Sequence, residues 1–376
     1  MSRGEFLARV GLLREIDPLT SQAYKFAEEL EAELPRQGHS HDAPWHVSFH
    51  GSEFPGDDPK ACGRRAIYTM LDIPRGMFPR WSRQIMDAGK DIEIQITHRW
   101  HQAGMLLSSP PESQFQTQFE DPDVWLTTTV DAIVLRPRSL RPAVAEIKSK
   151  YAHEVEAMRL LLRGPDEDHV RQVKTEIGLA HEFGEWNVTR CINSGRLAVR
   201  VKLAESISGN GHESATIGYR DAWMCPEHGG DKCLEVQTVK PVEHGFLYYV
   251  SRDDPANTRE FYYEYDPVFM EAGREQLRVW RKFFEEGVLP ATQVTGKNPM
   301  GWNWTTDDSP CKFCPYGSNR GNYICRLDHE ESVKRGELLR IEESEAIEHA
   351  REIRPEYDLG LVRAAVFARW NGSEQS

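Results

Sequence analysis

The stretch VDAIVLRPRSLRPAVAEIKSK, residues 130–150, constrains this chain more than any other. VWLTTTVDAIVL and AVAEIKSKY read as two strands rich in β-branched residues, and the Pro- and Arg-rich RPRSLRP between them reads as a turn. A hairpin of this kind sets Asp131 beside Glu146, with side chains ~5 Å apart. Two carboxylates that close repel unless a cation lies between them. Hard cations such as Mg2+ take oxygen ligands and need only one or two carboxylates. Period-two alternation puts Glu146 and Lys148 on one face of the strand. Lys148 then stands beside an attacking water and the charge that develops on a phosphate. Read in isolation, the same string also describes a solvent-facing Glu146–Lys148 pair on an edge strand.

The rest of the chain alternates helical and strand-like patterns. Residues 3–16 and 21–34 read as amphipathic helices, and RQGHSHDAPWHVSFHGSEFPGDDP, with His39, His41, His46 and His50, reads as loop. Helices are expected from Cys62 to Leu71, over 84–106 up to the break at Gly104, and over 152–163 and 166–184. Residues 185–244 are mixed, with strand-like LAVRVKLA and ATIGYRDAWM. GFLYYVSR and REFYYEYD form a strand pair around DDPAN. Residues 267–286 form a helix with Asp266 as cap, Pro267 at its first position and Gly287 at its end. Residues 327–358 are strongly acidic and read as a solvated helical face.

With 46 Lys+Arg against 59 Asp+Glu, the 376-residue chain carries a formal charge of −13. That argues against a protein that coats nucleic acid by bulk charge, but not against a local basic groove. No apolar run approaches the ~18 residues of a membrane span. The first residues, broken by Glu5, Glu15 and Asp17, do not read as a secretory signal, so an intracellular, cytoplasmic protein is expected. The 7 cysteines are an odd number and do not form a secreted disulfide framework. Cys311, Cys314 and Cys325 form a C-x2-C-x10-C array that reads as a metal centre, with Cys62 a candidate fourth ligand. CPEHGGDKC spaces Cys225, His228 and Cys233 as three-quarters of a zinc knuckle, with Cys191 or His244 as candidate fourth ligand. A polar turn with two free thiols is the expected reading there.

Taken in order, several segments resemble the PD-(D/E)XK nuclease superfamily, and more closely its RecB-like branch, which includes phage exonucleases and CRISPR adaptation nucleases. KACGRRAIYTMLDIP resembles the branch's Cys-x-Arg segment. DAGKDIEIQI resembles its G-x3-H/E helix, with Gly89 and Glu93 in place and His98 and His101 as competing ligands. TTTVDAIV and AEIKSK match the metal-binding Asp and the E-x-K strand. HVRQVKTEIGLAHEFG resembles the Q-x3-Y helix, with Gln172 matched and Glu176 where Tyr is usual. GVLP…CKFCPY…C resembles the C-terminal cysteine cluster. The resemblance covers roughly residues 60–185 and 245–326.

The resemblance implies an α/β, restriction-endonuclease-like fold: a mixed central sheet flanked by helices, with a helical N-terminal segment and an inserted mixed region. The expected divisions are 1–60, a nuclease core over 61–184 and 245–326, an insertion at 185–244, and an acidic tail over 327–376. The implied activity is metal-dependent hydrolysis of DNA, with exonuclease the expected mode, in recombination, repair or phage DNA processing. The alternative is a non-catalytic DNA-binding or recombination-complex subunit with the same fold. Mg2+ or Mn2+ would sit on Glu93, Asp131, Glu146 and the carbonyl of Ile147, with Lys148 and Gln172 completing the catalytic set. Cys62, Cys311, Cys314 and Cys325 would hold a [4Fe–4S] cluster, or alternatively Zn2+. Arg64, Arg65, Arg136, Arg138 and Arg141 would contact DNA. The expected partners are DNA and a recombinase, single-strand annealing protein or helicase, with no membrane.

Overall fold

β-Branched and aromatic residues crowd the middle of the chain and straight-chain helix formers its flanks. The computed structural model follows that division. It describes residues 47–58, 61–75, 80–108, 117–136, 139, 141–160, 162–184, 186–207, 216–239, 241–291, 314–316 and 324–372. The early strands and helices are β1 (Phe49–His50), α1 (Gly63–Met70), α2 (Arg80–Gln102), β2 (Gln118–Asp121), β3 (Leu126–Thr129), β4 (Ala132–Val134) and β5 (Ala143–Lys150). The middle of the chain gives α3 (Ala152–Leu160), α4 (Glu167–Phe183), β6 (Asn187–Cys191), β7 (Val199–Ile207), β8 (Thr216–Met224) and β9 (Leu234–Thr238). After them come β10 (His244–Ser251), β11 (Thr258–Glu264), α5 (Pro267–Glu286), α6 (Ile324–Arg335), α7 (Glu345–Ile353) and α8 (Leu359–Gly372). The expected helices over 3–16 and 21–34 lie outside the described residues, as do His39, His41 and His46.

The architecture is mixed α/β, with mixed sheets flanked by helices. The central sheet has the order β11-β10-β5-β4. β4 and β5 form the expected antiparallel hairpin, with Ala132 opposite Ala145 and Val134 opposite Ala143. β10 joins the other side of β5 in parallel, setting Leu247 against Glu146 and Tyr249 against Lys148. β5 is buried from Ala143 to Ile147, as a central strand covered on both faces must be. β10 and β11 are antiparallel, with Val250 opposite Thr258 across the DDPAN turn.

VWLTTTVDAIVL was expected as one strand and is two, in different sheets. β3 belongs to a second sheet of order β1-β3-β2, and β4 to the central one. The break falls at Asp131, whose carboxylate accepts the Ile147 N–H at 2.8 Å. A side chain thus takes a donor of β5 where a continuous strand would offer a backbone carbonyl.

α5 forms as its end signals predict: Asp266 Oδ1 accepts the Phe269 N–H at 3.0 Å, and Gly287 ends the helix at φ 72°. α2 ends before Gly104, which has φ +63°. Within residues 185–244, β6 pairs β9 and β7 pairs β8 as two separate ribbons. β6 and β9 carry no clear sequence pattern, because β9 is largely exposed and has no buried face to alternate with a polar one.

The C-terminal segment differs from the solvated face expected of it. Ile347, Ala350, Tyr357, Val366 and Trp370 join the main hydrophobic core. Trp370 stacks on Trp125 and donates its indole N–H to the Val47 carbonyl at 2.7 Å. The abundant acids of this segment lie beside an apolar face on the same helices, so net charge alone misjudges it. α1 is tied to this segment as well. Tyr357 Oη donates to the Leu71 carbonyl at 2.8 Å, and Arg354 pairs with Asp72 at 2.5 Å. Buried Asp328 meets Tyr68 from α1, and accepts from Ser344 Oγ at 2.6 Å and Glu345 N–H at 2.8 Å.

Candidate active site

The β4–β5 hairpin and two helices gather four carboxyl groups around one ammonium. Asp131 precedes β4, and Glu146 and Lys148 lie on β5. Glu93 comes from α2 and Glu176 from α4. Gly89 lets α2 approach β5, since a Cβ there would meet Ser149 Oγ at 3.0 Å. Glu93 follows one helical turn later on the same face. Glu146 and Glu176 are fully buried.

The electrostatics of the group are those of crowded like charges. Burial, then Glu146 and Glu93, push the Asp131 carboxyl well above its ordinary range, against the pull of Lys148 and the Ile147 N–H. Burial, then Glu146 and Asp131, do the same to Glu176. Glu93 is raised by burial and Glu146, and eased by Lys90 and Lys148. Burial alone would lower the pKa of Lys148. Glu146, which pairs with it, and Asp131 outweigh that and raise it, so the ammonium stays charged.

Glu146 and Glu176 meet carboxyl to carboxyl, a contact that is a hydrogen bond only while one of them keeps a proton. Oε2 of each is buried with no donor from the protein's other groups. Buried acceptors without donors fit a bound cation as the missing partner. Oxygen atoms of this kind suit Mg2+ or Mn2+.

Gln172 lies one turn before Glu176 and donates its side-chain N–H to Glu176 Oε1 at 3.1 Å. Two histidines flank the group and were not singled out for it from the sequence. His169 is lowered to about 4 by burial and by Lys148, and its Nδ1 is 2.8 Å from the Tyr249 hydroxyl. His50 is lowered by burial and Arg75, and feels Glu146 in the opposite sense. His50 ends β1 in a stretch that reads as loop and His169 sits on α4; a single His adds no periodic signal in either place, so only the fold reveals these two. Of the competing ligands near Glu93, His98 Nε2 meets Gln102 at 2.7 Å.

The arginines expected to contact DNA separate. Arg64 is fully buried and donates from Nε to the Pro290 carbonyl at 2.8 Å, which corrects its assignment to a DNA-facing surface. It faces the core side of α1, among Tyr68, Cys325, Asp328 and Cys62. Arg65, on the other face, lines a recess of about 200 Å³ with His50, Ser52, Glu53, Thr69, Arg75 and Pro315. Arg136 is exposed, with its guanidinium 2.9 Å from the Tyr262 hydroxyl. Arg141 is exposed too, and both lie near His244 at the turn end of the hairpin. Arg138 lies outside the described residues.

Of the four cysteines expected to hold a cluster, Cys311 lies outside the described residues. Cys62 precedes α1, while Cys314 and Cys325 are buried in the main core. All three act on the Arg64–Arg65 pair: Cys62 on both, Cys325 on Arg64 and Cys314 on Arg65. Arg64 Nη1 is buried without a hydrogen-bond partner, which fits a negatively charged group at this place.

The second cysteine set was expected as a polar turn with free thiols; its thiols are free, and the fold gathers three of them around His228. Cys191, Cys225, His228 and Cys233 bring their ligand atoms within 4.8 Å of one another, so these residues can hold a metal ion. The fourth member is Cys191, not His244, because the β6–β9 register sets Cys191 opposite Leu234 and so beside Cys233.

Among the described residues, no helix is long and apolar enough to cross a membrane. No family model matches the chain, and no curated protein matches it. Solved structures similar to it include the following two. One is LHK-Exo in complex with dAMP, at 10% identity and a TM-score of 0.37, over 64% of this chain and 92% of that one. The other is an alkaline exonuclease (LHK-Exo) from Laribacter hongkongensis, at 9% identity and a TM-score of 0.36, over 66% and 93%.

Proposed function

We propose that this chain is a divalent-metal-dependent nuclease that hydrolyses phosphodiester bonds in DNA, acting as an exonuclease in recombination, repair or phage DNA processing. One observation carries the reading. Four carboxyl groups, Glu93, Asp131, Glu146 and Glu176, converge on Lys148 while acceptors of Glu146 and Glu176 lack donors. Glu93, Asp131, Glu146 and the Ile147 carbonyl would hold Mg2+ or Mn2+. Such an ion polarises a phosphodiester and lowers the pKa of water.

The chain's own groups divide the remaining work. The Ile147 N–H fixes the rotamer of Asp131. Glu146 holds Lys148 in place, and the charged ammonium orients the attacking water and offsets charge on the phosphate. Gln172 is anchored on Glu176 through one N–H, and its second amide hydrogen can meet a phosphate oxygen. Arg65 and Arg75, in the recess beside His50, supply positive charge for the DNA backbone. We further propose that Cys62, Cys311, Cys314 and Cys325 hold a structural [4Fe–4S] cluster, with zinc the alternative. A visible absorption band of anaerobically purified protein separates the two.

The test is cleavage of single- and double-stranded DNA with Mg2+ or Mn2+. Lys148→Ala and Asp131→Ala should each lower the rate by about 100-fold or more while the protein stays folded. Unchanged cleavage in either variant overturns the proposal. Divalent-metal titration by calorimetry separates a nuclease, which binds the ion, from a DNA-binding subunit with no use for it.

A further inference from the structure

We propose that Cys191, Cys225, His228 and Cys233 form a closed, structural Zn2+ site that staples the two turns after β6 and β8, and the start of β9, onto the end of α2. The proposal does not depend on the nuclease reading.

Three sulfurs converge on one nitrogen. His228 Nδ1 lies 3.2 Å from Cys225 Sγ, 3.4 Å from Cys191 Sγ and 3.8 Å from Cys233 Sγ. A tetrahedral zinc with bonds of about 2.3 Å to sulfur and about 2.1 Å to nitrogen spaces those atoms about 3.6 Å apart. The observed separations fall on either side of that value. A cubane cluster spreads its ligands over several irons, and this group is too tight for one. Three thiolates and an imidazole also favour zinc over the oxygen-seeking cations of the carboxylate site. With four protein ligands there is no open position, which marks a structural site.

The loops are built for this. CINSG and CPEHG adopt the same turn around their cysteines. Gly195 N–H donates to Cys191 O at 2.8 Å, and Gly229 N–H to Cys225 O at 2.9 Å. Cys191 N–H donates to Arg196 O at 2.8 Å, and Cys225 N–H to Gly230 O at 2.9 Å. Both closing glycines have positive φ, +73° at Gly195 and +68° at Gly229. Each cysteine sulfur accepts the N–H three residues on, from Ser194 and from His228, at 3.4 Å in both loops. Backbone donors to sulfur orient a thiolate ligand and offset its charge. The first turn has Ser194 where the second has the ligand His228. Cys233 completes the set from the start of β9, where its carbonyl accepts Ile192 N–H at 2.8 Å.

Both turns seat on one point of the body. Leu197 N–H donates to Gly104 O at 2.6 Å. A Cβ at Gly104 would strike Leu197 O at 2.5 Å and Pro226 Cγ at 2.8 Å, one contact from each turn. Gly104 follows α2, and Leu107 N–H then donates to Ile133 O of β4 at 2.7 Å. The ion therefore locks together the two turns that grip the α2–β4 connection.

The experiment is metal analysis of the full chain, purified without added metal, by inductively coupled plasma mass spectrometry. One zinc per chain is expected beyond any held by the Cys62, Cys311, Cys314 and Cys325 set; it is lost in Cys191→Ala and Cys225→Ala and retained in Cys314→Ala. Exchange with Co2+ should give intense tetrahedral d–d bands with thiolate charge transfer. His228→Cys, which offers a fourth thiolate in place of the imidazole, should keep the ion and shift those bands. The proposal is overturned if the wild-type chain carries no zinc and takes up no tetrahedral cobalt. It is equally overturned if iron fills these ligands, or if zinc survives in the Cys191→Ala/Cys225→Ala pair but leaves in Cys314→Ala. Should the alanine variants not fold, the wild-type cobalt spectrum and its shift in His228→Cys still decide.

Discussion

Glu176 sets its carboxyl against that of Glu146 deep inside the protein, and this contact has a consequence for pH. The folded chain holds Glu176, Asp131 and Glu93 above their ordinary values of 4.5, 3.8 and 4.5. Between those values and the raised ones, the folded state binds protons that the unfolded state has released. The stability they contribute is complete below about pH 4 and is lost as pH rises through the folded values. Without divalent metal, the chain should lose stability as pH rises above those ordinary values, by up to about 1.4 kcal/mol per pH unit for each group titrating. His169, held at about 4 against an ordinary 6.5, acts in the opposite sense, losing stability as pH falls between them. Thermal melts of Glu176→Gln beside wild type isolate the carboxyl contribution. The variant should show the shallower pH slope, and saturating Mg2+ should flatten the slope of wild type. Equal slopes would remove Glu176 from the cluster. From sequence alone Glu176 stood out only as a departure from Tyr. That a carboxyl there joins Asp131 and Glu146 depends on how α4 packs under β5, which no local pattern reports.

At the scale of elements, α2 matters for the angle at which it lies on β5. Gly89 is the point of approach, with Ser149 Oγ 3.0 Å from where a Cβ would be. Gly89→Val adds an isopropyl group at this seam and should move α2, and Glu93 with it, by a fraction of an ångström. DNA cleavage should fall by roughly tenfold or more, because misplaced catalytic groups are costly. The melting midpoint should report a loss of only about 1–3 kcal/mol. Cleavage that merely tracks stability would sink the idea that this glycine positions Glu93. Legibility follows the same physics. α5 could be read to the residue because Asp266, Pro267 and Gly287 act within one turn of its ends. The β4–β5 hairpin was legible because both strands carry their own apolar pattern. The division of VWLTTTVDAIVL was hidden, since it depends on a bond from Asp131 to a strand 16 positions away. The metal-ligating turns were half hidden too. CINSG and CPEHG share a conformation, but the first lacks a second ligand and does not look like a knuckle.

For the molecule as a whole, charge was a poor guide to the C-terminal region and hydrophobic packing a better one. Trp370 closes the core against Trp125 and Val47, about 4% exposed. Trp370→Ala should therefore cost about 3–5 kcal/mol in chemical denaturation, which a solvated tail would not. α1 and the region beyond Cys314 also share buried bonds to Asp328, so the two ends of the described chain stabilise one another. The buried Arg64 belongs to this junction, and its positive charge answers the acids and cysteines around it rather than a nucleic acid.

The parallel pairing of β5 with β10 bears on how the chain reaches this state. The hairpins β4–β5 and β10–β11 are each local, yet they meet only across roughly 90 intervening residues, so the seam must wait for a long loop to close. Stopped-flow refolding should place the seam late. Ile133→Val, within one hairpin, should slow refolding, whereas Leu247→Ala, at the seam, should mainly speed unfolding. Glu146 and Lys148 lie on the seam strand, and Glu93 and Glu176 reach them from helices that dock on it. On this order, Asp131 and Glu146 meet early within their hairpin, and the repulsion that Glu93 and Glu176 add is deferred to the final step of assembly, when the apolar contacts that can withstand it are already in place.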